Sequence, residues 1–174
     1  FTFESGEISD NLGRFGGAIS CVGGTVNIKG GELKDNYSNY TGGAIYMDGG
    51  VLNITGGKIS NNETTNDGGA IWTRDNSNAV VNMSGGEIVG NKAQRCSGAI
   101  HVHVGNTLNL SGGSITGNQT ATTVSTNLDY GAIGGYNNDT YKYNGTINLS
   151  GNPVVKDNFR GETEANVQVY DTSS

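Results

Sequence analysis

Apolar residues occur along this chain in short runs of period two, as in Ala18-Ile19, Val26-Asn27-Ile28 and Glu32-Leu33-Lys34. Alternation of this kind marks half-buried strands. No helical spacing recurs, and the abundant Asn, Gly and Thr weaken helices. The runs themselves repeat. A Gly-Gly-Ala-Ile tetrapeptide or close variant appears at residues 16–19, 42–45, 68–71, 97–100 and 130–133, with its isoleucines 26, 26, 29 and 33 residues apart. A second motif alternates with it at 1–11, 26–36, 52–62, 81–91, 108–118 and 147–158, the last carrying one extra residue near Pro153.

Each repeat holds three alternating runs separated by Gly-Gly or Asn-rich corners, where glycine supplies the positive φ of a sharp turn. Three strands and three corners in about 26 residues predict a triangular coil, and stacked coils would pair in parallel about 4.8 Å apart. The expected fold is therefore all-β, a right-handed parallel β-helix of about six three-strand coils. One interior ladder is Ile19, Ile45, Ile71, Ile100 and Ile133. A second contains Val26, Ile28 and their equivalents. The third is Ile8, Leu33, Ile59, Ile88, Ile115 and Val155. Asn11, Asn36, Asn62, Asn91, Asn118 and Asn158 each follow an interior aliphatic by three residues, which predicts a stacked amide ladder at one corner. Residues 1–174 read as one domain, with 159–174 starting a further coil or a cap.

Composition would be puzzling without the repeat. Glycine makes up 30 of 174 residues, and Leu, Ile, Val and Phe together only about 21 %, close to the level of disordered chains. Yet a net charge of −6 and a single Pro do not suit a solvated linker. A narrow core shared by stacked coils needs few aliphatics. No run approaches the roughly 18 apolar residues of a membrane span, and no basic stretch with an apolar run reads as a signal peptide. With 10 Lys and Arg and a pI near 4.7, the chain lacks the clustered positive charge that grips phosphates, so nucleic acid is not an expected partner. The sequence opens with Phe1 inside a motif, as a segment of a longer protein would.

The Gly-Gly-Ala-Ile tetrapeptide with its aliphatic-x-x-Asn partner resembles the repeats of the polymorphic outer-membrane adhesins, which are right-handed parallel β-helices. Ser111-Gly112-Gly113-Ser114-Ile115-Thr116-Gly117-Asn118, and the stretch from Gly151-Asn152-Pro153 to Asn158 followed by Asn166-Val167, also resemble β-helical repeats of large cell-wall-anchored bacterial surface proteins. The resemblance spans residues 1 to about 170. Departures are Ser97 and Tyr130 in place of the first Gly, and Ser5 and Asn152 within the second Gly pair. It implies an extracellular, cell-surface, non-enzymatic structural or adhesive module without cofactor. Its partners would be a host or bacterial surface protein or glycan, with lateral or end-to-end self-association as a further option.

Period two also assigns outward positions. On the first strand these are Ser20, Tyr46, Trp72, His101 and Gly134, then Val22, Asp48, Arg74, His103 and Tyr136. Tyr46, Asp48, Trp72, Arg74, His101, His103 and Tyr136 therefore form one aromatic and polar stripe, the chemistry a sugar ring would need. The alternative is that these rings stack on one another as cross-strand pairs. His101 and His103 supply only two of the three or four ligands zinc requires and read better as a solvent-facing pair.

Glu7 and Glu32, one coil apart, and Asp67 and Asp129, two coils apart, have the spacings of glycoside-cleaving carboxylate pairs. With Lys34 and Lys58 beside Glu7 and Glu32, that row reads better as a solvated charge stripe, and a lyase or hydrolase is only an outside reading. Cys21 should point inward and Cys96 lie in an exposed corner, too far apart for a disulfide. Asn27, Asn53, Asn82, Asn109 and Asn148 with their Thr, Val and Ser neighbours form an outward row expected to be irregular solvated surface. Ten Asn-x-Ser/Thr sequons, Asn36 and Asn53 among them, follow from the Asn- and Thr-rich repeats. Insertions at 119–129 and 137–144 are expected to wall one end of the stripe.

Overall fold

The protein is seen in a computed structural model that describes residues 1–121, 131–135 and 145–167. All regular structure among these residues is β, in stacked parallel sheets that form a β-solenoid. Sheet 1 contains Thr2–Phe3, Thr25–Ile28, Val51–Ile54, Val80–Met83, Thr107–Leu110 and Thr146–Leu149. Sheet 2 contains Glu7–Ser9, Glu32–Lys34, Lys58–Ser60, Glu87–Val89, Ser114–Thr116 and Val154–Lys156. Sheet 4 contains Ile19–Val22, Ile45–Asp48, Ile71–Thr73, Ile100–His101 and Ile133–Gly134. These are the three strands that the alternation predicts.

The coil nevertheless has a fourth side, which corrects the three-strand expectation. Sheet 3 stacks Leu12–Phe15, Tyr37–Thr41, Glu63–Thr64, Lys92–Ala93, Gln119–Thr120 and Phe159–Arg160 in parallel. Thr163–Glu164 adds to its edge antiparallel. Its inward column is Ser38, Thr64, Ala93 and Thr120, all buried and in register. Small side chains fill this side, and the hydroxyls of Ser38 and Thr64 find backbone acceptors. Ser38 Oγ donates to the carbonyls of Arg14 and Thr41 at 2.9 and 2.8 Å, and Thr64 Oγ1 to that of Tyr40 at 2.8 Å. With no aliphatic in the column, no hydrophobic period reveals the strand. The described residues make five complete coils and a partial sixth, slightly different from the expected count.

The aliphatic ladders run as the repeat requires. Ile19, Ile45, Ile71, Ile100 and Ile133 are register partners through sheet 4, and Ile8, Leu33, Ile59, Ile88, Ile115 and Val155 through sheet 2. Val26, Leu52, Val81, Leu108 and Ile147 form the matching column of sheet 1. Burying a side chain of this size contributes about 1.5–3 kcal/mol. Each coil gains that several times over while using few residues.

The asparagine ladder closes the corner between sheets 2 and 3. Nδ2 of Asn11, Asn36, Asn62, Asn91 and Asn118 each donates to Oδ1 of the next asparagine in the stack at 2.9 Å. Asn158 continues to Asn166 at 3.1 Å. Each Oδ1 also accepts the backbone N–H of the asparagine before it, as Asn62 Oδ1 does from Asn36 at 3.0 Å. Each Nδ2 from Asn36 onward reaches back to a sheet 2 carbonyl of the preceding coil, so one side chain ties three coils together.

The Gly-Gly pair of the tetrapeptide divides its labour. Gly42 has φ 67°, the left-handed turn, and Ser97 accepts φ 56° at the equivalent position. The second glycine is needed for space: a Cβ on Gly43 would overlap the Gly69 carbonyl oxygen of the next coil.

Candidate functional site

Sheet 4 brings most of the sequence-predicted stripe together, but turns its rings toward one another. Tyr46 and Trp72, register partners one coil apart, stack at 5.2 Å between ring centroids and 13° between planes. Trp72 stacks in turn on His101 at 6.4 Å and 15°. His103 meets the edge of Trp72 at 6.1 Å and tilts against His101 at 5.6 Å. Phe15, which sequence reasoning left out, joins the column by contacting Tyr46 at 5.0 Å and Tyr40 at 5.3 Å. Parallel, in-register pairing forces this arrangement, because equivalent outward side chains lie one strand spacing apart. The faces of Trp72 are therefore occupied by its neighbours.

Burial follows. Tyr46 is 8 % exposed and His101 0 %, which corrects the expectation of a solvent-facing histidine pair. Burial, with His103 and Arg95 nearby, holds the His101 imidazole well below its ordinary pKa. Burial also lowers that of His103, partly opposed by Asp75, whose Oδ1 lies 3.6 Å from His103 Nδ1. Burial likewise raises the Tyr46 phenol. Asp48 and Arg74 form an outer ion pair at 2.6 Å, leaving neither charge uncompensated. Tyr136 lies outside the described residues. Among the described residues no three His, Cys, Asp or Glu side chains converge as a metal site would require.

Beside the stripe, where sheet 3 turns into sheet 4, a cavity of about 230 Å³ is lined by Tyr40, Thr41, Asn66, Asp67, Trp72 and Arg95. Asp67 is buried, and its Oδ1 lies 3.3 Å from Arg95 Nε. Cys96 pairs by a backbone bridge with Asp67 across adjacent coils and is fully buried, a correction to the exposure expected from its place in a corner. Burial first, then Asp67, pushes its thiol far above the usual range. Cys21 is inward as expected, with Sγ donating to Gly23 O at 2.9 Å. A larger cavity of about 560 Å³ opens at the first coil, between Phe1, Ile8 and the Ile19–Val22 strand.

The other carboxylates have structural partners. Glu7 and Glu32 are register neighbours on sheet 2, and each pairs with a lysine of the next coil, Glu7 diagonally with Lys34 at 3.0 Å and Glu32 with its direct register partner Lys58 at 3.1 Å. Hydrogen bonds from Ser9 and Ser60 respectively, then those lysines, lower both pKa values, the opposite of what a general acid needs. Asp129 lies outside the described residues, as does most of both insertions.

Two amide arrangements exceeded the sequence reading. The outward row on sheet 1 is ordered. Asn53, Asn82, Asn109 and Asn148 each donate Nδ2 to the preceding asparagine's Oδ1, at 2.9, 2.9, 2.8 and 2.8 Å, starting from Asn27. Buried Asn106 accepts from Ser77 and Ala79 and donates to the carbonyls of Arg74, His103 and Val104. It pins two adjacent coils at the end of the stripe. The repeated Asn spacing signalled the first arrangement, whereas nothing local signalled the second.

Stacked coils, two external sequence motifs in register and an uninterrupted amide ladder define a β-solenoid repeat protein. Residues 58–74 match the model of the Chlamydia polymorphic membrane protein repeat. The match covers the third-coil strands of sheets 2, 3 and 4, including Gly68-Gly69-Ala70-Ile71, and together with the solenoid it fits a β-helix repeat protein of the polymorphic membrane protein type. No curated protein and no solved structure matched the chain.

Proposed function

We propose that the chain is a non-enzymatic, extracellular module of a bacterial surface protein, a rigid stalk that also adheres. The amide ladder carries this reading: from Asn11 to Asn166 it joins every coil to its neighbours, through side chains that are buried from Asn36 to Asn158. Each coil contacts only adjacent coils, so the repeat extends the molecule while offering long lateral faces. The polymorphic membrane protein repeat supports a cell-surface setting. Its partner is a protein or glycan on a host or bacterial surface, and the ordered outward asparagine row of sheet 1 suits lateral self-association. Carboxylates with lowered pKa values and basic partners speak against polysaccharide cleavage by Glu7 and Glu32.

Beads coated with residues 1–174 should adhere to epithelial or bacterial cells. Beads bearing an Asn62→Ala, Asn91→Ala double variant, whose ladder is cut at two coils, should adhere less. Retention no better than that of albumin-coated beads on both surfaces would remove adhesion and leave the stalk alone.

A further inference from the structure

We propose that the outward face of sheet 3 at its first two coils docks a protein segment that carries an apolar side chain next to a carboxylate. This rests on the adhesive reading above and names the kind of partner and the residues that meet it. Leu12 is 69 % exposed, its register partner Tyr37 36 % and the neighbouring Tyr40 48 %. Phe15 completes the patch, with Tyr40 standing edge to face against its ring. In the column of Tyr37, the third and fourth coils carry Glu63 and Lys92, so the apolar face ends where that ion pair begins. Contiguous exposed apolar surface of this kind marks interaction sites.

A local irregularity builds the patch. Gly13 pairs with Ser38 and Phe15 with Thr41, so Arg14 alone on the first coil faces both Asn39 and Tyr40 on the second. A bulge of this kind bends the strand and re-aims the side chain it displaces. Ser38 and Thr41 stay buried on either side of it, while Asn39 and Tyr40 are exposed.

Arg14 supplies the charge. Lys29, Lys34, Lys58, Arg74, Lys92 and Arg95 each have a carboxylate oxygen at 2.6–3.9 Å. Arg14 is exposed and has no ion pair among the described residues, although the chain carries a net charge of −6. Its guanidinium lies over the Phe15 ring, 5.2 Å from the centroid, in the middle of the patch. A guanidinium stacked on a ring keeps its planar fork of N–H donors for a carboxylate, which it grips through two parallel hydrogen bonds. Tyrosine and arginine beside an apolar contact are the composition of a binding hot spot. A carboxylated sugar would satisfy Arg14 but set its hydroxyls against Leu12, whereas a peptide matches both the charge and the aliphatic surface.

The ¹⁵N-labelled protein is titrated to about 5 mM with the peptide acetyl-Gly-Leu-Asp-Phe-Gly-amide, with the same peptide carrying Asn or Lys for Asp, and with N-acetylneuraminic acid. The aspartate peptide should shift the backbone amides of residues 12–15 and 37–41 saturably and leave the distant coils unmoved. Arg14→Glu should weaken its binding about fivefold and turn the preference to the lysine peptide. Tyr40→Ser, which removes an exposed ring and no backbone bond, should weaken it about fivefold as well. Unmoved amides of the distant coils in both variants show that the fold is kept. No saturable shift with the aspartate peptide, equal affinity for the asparagine peptide, or an unchanged preference in Arg14→Glu overturns the proposal. Shifts of these amides by N-acetylneuraminic acid and not by the peptide assign the face to a carboxylated sugar and overturn it too. If coated beads adhere while the peptide leaves these amides fixed, the docking face falls and the adhesive module stands. Saturable peptide binding without bead adhesion separates the two the other way.

Discussion

Replacing Asn62 with alanine tests the ladder at its centre. Asn62 is fully buried, and its side chain makes five hydrogen bonds. It accepts from Asn36 N and Nδ2 at 3.0 and 2.9 Å and donates to Leu33 O, Ser60 O and Asn91 Oδ1 at 3.0, 3.0 and 2.9 Å. Some partners survive the loss. Asn36 Nδ2 keeps the carbonyls of Ile8 and Lys34, Asn91 Oδ1 keeps the Asn62 backbone N–H, and Ser60 O keeps Asp35 N. The backbone N–H of buried Asn36 loses its acceptor. Leaving one buried donor unmatched costs about 1–3 kcal/mol, and the other net losses add about 1 kcal/mol, giving about 2–4 kcal/mol in all. The control is Asn53→Ala on the half-exposed outer ladder, where water replaces Asn27 and Asn82 and the cost is about 1 kcal/mol or less. Urea unfolding followed by circular dichroism and by Trp72 fluorescence measures both. Equal destabilisation by the two substitutions would refute the claim that burial makes the inner ladder the principal tie between coils.

Gly43→Ala should destabilise by about 3 kcal/mol in the same assay, because its Cβ would overlap the Gly69 carbonyl and the coils must part. Acid should act through His101: its folded pKa lies well below 6.5, so the unfolded chain binds the proton more readily. Its contribution is intact above about pH 6.5 and is lost as pH falls toward the folded value, with a slope of up to about 1.4 kcal/mol per pH unit. Thermal midpoints between pH 8 and 5 should show this decline, and His101→Gln should flatten it. Cys96, with its thiol pushed up by burial, should resist a thiol reagent such as dithionitrobenzoate in the folded protein and react at once in urea.

The aliphatic ladders and the inner asparagines were legible in the sequence because each is a hydrophobic or amide signal repeated at one spacing. Sheet 3 was not. Ser38, Thr64, Ala93 and Thr120 carry no periodic apolar signal, and several of its strands are only two residues long, as at Glu63–Thr64. The stripe was half legible. Period two placed Tyr46, Trp72 and His101 in one column, yet alternation says only which side of a strand a residue takes. Whether a neighbouring column or corner then buries it depends on the fourth side, so His101 and Cys96 were expected in solvent and lie inside. The cavity joins Tyr40, Asn66 and Arg95 from three coils, a juxtaposition that register alone creates.

The central claim, that equivalent residues pile in register through buried amides, is tested most directly by side-chain amide contacts in solution. A ¹⁵N-edited NOESY spectrum should connect the Nδ2 protons of Asn36 with the backbone N–H of Asn62, those of Asn62 with that of Asn91, and those of Asn91 with that of Asn118. Cross-peaks confined to residues near in sequence, with none linking asparagines 26, 29 and 27 positions apart, would contradict the stacked solenoid.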